Sequence, residues 1–194
     1  MTTSQELLDR IEGQNLNTRF LANLERNGDV EVLRWKGPDG AWQGQTLADL
    51  ATDTARAVTG LRNLGVGPGD TVVLMLTNRP EFHSLDLAVL FLGATPVSIY
   101  NSSSPEEVEF LAGDAGARIA ILEDDGYLQR MLKVRGALPL LEKIYVLHPP
   151  EGDLPDGVYP IEALMSHGEA DLDALAEATQ PDDLATLIYT SGTT

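Results

Sequence analysis

The stretch "TVVLMLTNRPEFHSLDLAVLFLGATPVSIY", residues 71–100, decides how the rest of the chain is read. Thr71 to Leu76 is apolar on both faces, the pattern of a strand buried in a parallel sheet. Asn78-Arg-Pro-Glu-Phe82 then opens a helix, with Pro80 near the first turn where its missing N–H costs nothing. From Phe82 to Leu92 this helix is apolar nearly all round, so it is expected to be buried, and Pro96 to Tyr100 reads as a second short strand.

The same alternation continues on both sides. Upstream, Thr46 caps a helix whose apolar positions Leu47, Leu50, Ala51, Thr54, Ala57, Val58, Leu61 and Leu64 recur at three and four residues. Asp49 stands where a capping-box acid belongs, and Gly65 ends the helix. Gly65-Val-Gly-Pro-Gly-Asp70 lacks dinucleotide-loop spacing and precedes a strand, so it is a turn. Before it, Val30–Trp35 and Ala41–Gln45 flank Lys36-Gly-Pro-Asp-Gly40 as a hairpin, and residues 1–28 are polar enough for only one or two edge helices.

Downstream, Ser104-Pro-Glu-Glu107 starts a helix with an inner stripe of Val108, Leu111, Ala112 and Ala115, closed by Gly116. Arg118–Leu122 and Lys143–Leu147 are strands around a short helix, Tyr127–Val134. Residues 148–157 form a loop, Ile161–Met165 and Leu172–Ala178 are helical, and Leu184–Tyr189 is a final strand. Strands and helices alternating over short links predict one α/β domain over 1–194: a doubly wound, mostly parallel sheet with flanking helices.

Composition narrows the function. Thirteen Lys and Arg stand against thirty Asp and Glu, a formal net charge of −17, so phosphate backbones and anionic lipid surfaces are repelled and nucleic acid is not an expected partner. The absence of cysteine removes disulfides, thiolate metal sites and a thiol nucleophile from this stretch and fits a reducing cytoplasm. The polar, acidic start is no signal peptide, and the longest apolar-rich run, Leu85–Tyr100, is broken by Asp86, Gly93 and Pro96, so no transmembrane segment is expected. His83, His148 and His167 lie far apart; His83 is expected in the core rather than on a metal. Asp124-Asp125 and Asp182-Asp183 read as turn and cap residues.

The chemistry-bearing candidate is Thr190-Ser191-Gly192-Thr193-Thr194, directly after the last apolar run. Small residues let the backbone turn its amides toward one point, glycine admits close approach of an anion, and hydroxyls add donors for phosphate oxygens or ligands for magnesium. On the residues alone the loop is either a phosphate cradle or a plain polar turn: it is no Walker sequence and holds no lysine.

Tyr189-Thr-Ser-Gly-Thr-Thr194 resembles the opening of the phosphate-binding signature of the AMP-forming adenylate synthetases, a superfamily of acyl-CoA synthetases, luciferases and peptide-synthetase adenylation domains. The lead-in Pro181-Asp-Asp183, the segment Thr46-Leu-Ala-Asp-Leu50 and the turn Gly65–Asp70 are similar to the same family. Asn78–Phe82, Gly93-Ala-Thr-Pro-Val97 and Ser104–Glu107 resemble its long-chain acyl-CoA synthetase branch, although Asn101-Ser-Ser103 departs from the proline and threonine common there.

The resemblance implies a ligase that joins a long-chain fatty acid to coenzyme A through an acyl-adenylate, with ATP and Mg2+. Thr190 to Thr194 would hold the ATP phosphates, with Thr190 near the magnesium, and no catalytic residue would lie within the chain. It implies equally that the family's remaining equipment lies beyond Thr194: the chain is expected to be an N-terminal fragment, inactive alone, from a cytoplasmic enzyme that could be peripheral to a membrane. The alternatives are a peptide-synthetase adenylation domain, an aryl-acid ligase, or a non-catalytic α/β binding module; an independent NTPase ranks last for want of a lysine.

Overall fold

The computed structural model describes Thr3, Glu6 and residues 11–190. In chain order the elements are α1 (Leu16–Asn27), β1 (Glu31–Lys36), β2 (Trp42–Thr46), α2 (Leu47–Asn63), β3 (Thr71–Met75), α3 (Pro80–Phe91), β4 (Thr95–Ser98), α4 (Pro105–Asp114), β5 (Ile119–Asp124), α5 (Asp125–Val134), β6 (Lys143–His148), β7 (Val158–Pro160), α6 (Glu162–Met165) and α7 (Leu172–Ala178).

β1 and β2 form the antiparallel hairpin, and the other five strands make one sheet in the order β4-β3-β5-β6-β7, parallel at every pairing. The strands alternate their side chains between two cores, as the pleat requires. Val72, Leu74, Ile119, Ile121 and Tyr145 face α2 and α3, with Leu164 of α6 and Leu172 of α7 in the same cluster. Val73, Met75, Ala120, Leu122, Ile144 and Val146 face the opposite way, onto Val108 and Ala112 of α4 and Leu128 and Met131 of α5. A sheet coated on both faces can consist of near-continuous apolar strands, and β3, buried from Val72 to Met75, is one.

Local signals place the helix starts. Asn15, Thr46 and Ser104 each close a capping box, with Thr18, Asp49 and Glu107 as the reciprocal partners. The positive φ values of Gly65 (76°) and Gly69 (86°) shape the turn between α2 and β3, and the Asp70 carboxylate accepts the Gly67 N–H at 2.9 Å inside it.

Three expectations change. Leu184–Tyr189 joins no ladder. Its Ala185, Leu187 and Tyr189 are half-buried between exposed neighbours, the alternation of a strand, yet its tie to the outer strand β4 is a side-chain one: the Thr95 hydroxyl donates to the Leu184 carbonyl at 3.0 Å. A strand needs a backbone partner in register as well as a pattern. Second, β7 was not foreseen; three residues ending in proline carry almost no periodic signal, and Pro160 is tolerated because β7 is an edge strand. Third, α3 is buried on one side only: Leu85, Ala88, Val89 and Phe91 are enclosed, whereas Phe82, His83, Asp86 and Leu87 are half-buried. His83 therefore packs edge-on against Phe82 (5.6 Å between ring centroids) at partial burial instead of in the core.

Candidate functional site

Chain topology singles out one edge of the sheet. The connection leaving β3 runs to α3 on one face, while those leaving its neighbours β4 and β5 run to α4 and α5 on the other. Where adjacent connections part toward opposite faces, a crevice opens at the carboxyl ends of the strands, the usual ligand position in open α/β sheets. Here there are two such crevices, one on each side of β3.

The crevice between β3 and β5 is filled by the protein itself. The Thr77 N–H donates to Glu123 Oε2 at 2.6 Å, and Arg79 bridges Glu123 (3.1 Å) and Glu81 (2.8 Å). Burial alone would raise the Glu123 carboxyl, but the hydrogen bonds from Thr77 and the charge of Arg79 outweigh it and hold the group below the ordinary carboxylate range. Hydrogen bonding to Glu81, above all, keeps the Arg79 guanidinium charged.

The crevice between β3 and β4 is open. It forms a groove of about 610 Å³ whose walls include Leu76, Thr77 and Asn78 after β3, Ile99 to Ser102 after β4, and Thr186 to Tyr189 of the terminal segment. The β4–α4 wall is fixed from behind: Arg130 of α5 donates to the carbonyls of Asn101 and, at 3.2 Å, Ser103, while its guanidinium lies over the Tyr127 ring. The opposite wall is held by α4. Tyr189 donates to Asp114 Oδ2 at 2.9 Å, and the Phe110 and Tyr189 rings meet edge to face at 6.4 Å. Burial, then the bond to Asp114, pushes the Tyr189 phenol above its ordinary value, so it is protonated and donating at neutral pH.

Thr190 follows Tyr189 and is exposed where the segment passes the groove. Of the five phosphate-loop candidates it is the one within the described residues; Ser191, Gly192, Thr193 and Thr194 lie outside them. Asn78, Arg79, Asn101 and Tyr189 entered the sequence reading through the family resemblance, and Phe110, Asp114, Glu123 and Arg130 were not singled out. Asp114 and Tyr189 stand 75 residues apart and meet only because α4 crosses back beside the last segment, which no local pattern announces.

For magnesium, a threonine hydroxyl is an oxygen donor of the right kind. Among the described residues, however, no cluster of three or more His, Cys, Asp or Glu could hold a metal ion. The two arginines at this edge, Arg79 and Arg130, are both engaged with protein acceptors. No helix among the described residues is long and apolar enough to cross a membrane.

Comparison with known proteins gives the family. The chain is 36% identical over 171 residues to the long-chain-fatty-acid–CoA ligase FadD15 of Mycobacterium bovis, covering 88% of this chain and 28% of that protein. It is 30% identical over 179 residues to the human long-chain-fatty-acid–CoA ligase ACSBG1, covering 90% of this chain and 25% of that one. Among solved structures, the anthranilate CoA ligase AuaEII in complex with anthranoyl-AMP superposes with a TM-score of 0.77 at 25% identity, over 94% of this chain and 33% of that one. The chain thus spans roughly a quarter to a third of these three proteins. The family profile described as AMP-binding enzyme matches residues 20–194, and the chain belongs to that family.

Proposed function

We propose that the intact protein is an ATP-dependent acyl-CoA ligase for long-chain fatty acids, of which this chain is the N-terminal part. In the reaction a fatty-acid carboxylate attacks the α-phosphate of ATP, pyrophosphate leaves, and the thiol of coenzyme A then displaces AMP from the acyl-adenylate. The supporting observation is positional: a family-matched chain runs its last segment past the open crevice at the carboxyl ends of β3 and β4 and exposes Thr190 there.

In this reading the chain supplies positioning and hydrogen-bond donors. Thr190, with Ser191, Gly192, Thr193 and Thr194, receives the phosphates of ATP, and the Thr190 hydroxyl serves as one oxygen ligand of the accompanying Mg2+. Arg79 and Arg130 are committed to protein partners and do not supply the cationic charge that balances the triphosphate. The enzyme works in the cytoplasm, where the cysteine-free composition of this chain fits a reducing environment.

The test is ATP–pyrophosphate exchange with hexadecanoate. A protein read through past Thr194 to the length of its relatives catalyses exchange and forms acyl-CoA, whereas the 194-residue chain does neither. A full-length protein that exchanges with no fatty acid, or a 194-residue chain that turns over, overturns the proposal.

A further inference from the structure

Phe110 presents an aromatic ring that is 64% exposed on the outer face of α4, and Asp114 lies one turn further along the same helix. Spacing of i and i+4 puts the two side chains on one face. Both converge on Tyr189: Asp114 accepts its phenolic hydrogen at 2.9 Å, and Phe110 meets its ring edge to face at 6.4 Å. Two contacts of different kinds, one directional and one dispersive, fix both the tip and the plane of the ring.

Helix α4 is itself held at both ends. Its start carries the Ser104–Glu107 capping box, immediately after the Asn101–Ser103 loop that Arg130 grips through backbone carbonyls. Its end is closed by Gly116 at φ 65°, and Val108 and Ala112 are buried in the second core. The contact therefore joins a capped, packed helix to a segment that has no ladder partner, and Tyr189 is bonded directly to Thr190.

We infer that Asp114 and Phe110 form a latch that, through Tyr189, sets the direction in which Thr190 enters the phosphate-binding loop. They are positioning residues for ATP and touch neither substrate. The inference rests on the ligase reading for its consequence, though not for its geometry. A loosened latch leaves Thr190 in place covalently but widens the range of directions it samples, so affinity for ATP falls.

The experiment compares Asp114→Ala, Tyr189→Phe, Phe110→Ala, Asp114→Asn and the Asp114→Ala/Tyr189→Phe double variant in the full-length protein by pyrophosphate exchange. Losing this one hydrogen bond raises KM for ATP roughly fivefold in Asp114→Ala and in Tyr189→Phe. In Asp114→Ala, whose side chain lies outside the groove, kcat at saturating ATP and KM for hexadecanoate stay near the parent values. Asp114→Asn, which keeps a carbonyl acceptor for the phenol, restores the parent KM, the double variant is no worse than either single one, and Phe110→Ala adds its own increase.

Unchanged KM for ATP in both Asp114→Ala and Tyr189→Phe overturns the latch, as does a parallel loss in both substrates that follows a fall in Tm. If the parent protein shows no exchange at all, the ligase reading fails. The latch is then decided in the 194-residue chain by nuclear Overhauser contacts between the Phe110 and Tyr189 rings. Contacts that weaken in Asp114→Ala sustain it, and their absence from the parent chain removes it.

Discussion

Gly60 of α2 and Leu164 of α6 meet backbone to backbone: a Cβ added to Gly60 would stand 2.1 Å from the Leu164 carbonyl oxygen and 3.0 Å from its carbonyl carbon. Glycine inside a helix normally costs about 1 kcal/mol relative to alanine, so on helix propensity alone Gly60→Ala should stabilise the chain. Here the obstacle is main chain, which cannot rotate away, and both residues are buried. Gly60→Ala is expected to destabilise by about 3 kcal/mol, a Tm loss of roughly 6–12 °C, because α6 must move off the sheet. Thermal unfolding of the variant checks the sign: a gain would mean the contact yields freely.

Asp86 is half-buried on α3, in a groove also lined by Leu16, Arg19, Phe20, Asn23 and Arg26 of α1, with no hydrogen bond or ion pair from the described residues. Burial pushes its carboxyl up to about 6. A carboxylate raised in the folded state binds a proton there that the unfolded chain has already released, so its contribution to stability falls as pH rises from about 4 to about 6 and stays low above that. Asp86→Asn removes this penalty. The variant is expected to match the parent at pH 4 and to exceed it by up to about 2 kcal/mol at pH 7. Urea midpoints at both pH values test it, and a gain of equal size at pH 4 would assign the effect to packing instead.

Much of this architecture was written in local patterns. The apolar run Thr71–Leu76 and the capped starts at Thr46 and Ser104 announce a strand and two helices without any knowledge of their neighbours, and the structure places all three as expected. What stayed illegible depends on partners distant in sequence. Leu184–Tyr189 carries strand alternation and no ladder, because pairing is a property of two segments while periodicity belongs to one. The site followed the same division. Thr190 was visible from its hydroxyl-rich context, whereas Asp114 and Phe110 look like ordinary helix-surface residues until the fold brings Tyr189 to them.

Arg118 ties together the amino-terminal edge of the sheet, far from the candidate site. It forms two hydrogen bonds to Glu142 (3.0 and 3.2 Å) and one to Asp70 (3.0 Å), joining the turn before β3 to the residue before β6. Its hydrogen bonds hold the Glu142 carboxyl below the ordinary range, so the stabilisation is present at neutral pH and is lost as pH falls through that depressed value. Arg118→Ala is expected to lower Tm by a few degrees at pH 7, less at pH 3, and less again in 1 M salt, where partly exposed pairs are screened. Arg118→Lys recovers part of the loss, since an ammonium cannot match the paired contact with Glu142. A loss independent of pH and salt would show that the arginine acts through its aliphatic stem.

Asn15 does two jobs with one amide. Its oxygen accepts the Thr18 N–H at 2.8 Å, capping α1, while its nitrogen donates to the carbonyls of Ala176 (3.0 Å) and Thr179 (2.7 Å) at the end of α7. The two halves can be separated by substitution. Asn15→Ala loses both and is expected to cost about 2 kcal/mol, roughly half from the cap and half from the carbonyls left without their donor. Asn15→Ser keeps a capping oxygen and loses the cross-link, so its cost should be about half as large. Asn15→Asp keeps the cap, even favourably placed at a helix amino terminus, yet turns a carboxylate oxygen toward two carbonyls; it should be the worst of the three despite being nearest in shape. Urea denaturation that ranks Asp above Ser in stability would show the cap to dominate and the α1–α7 cross-link to be incidental.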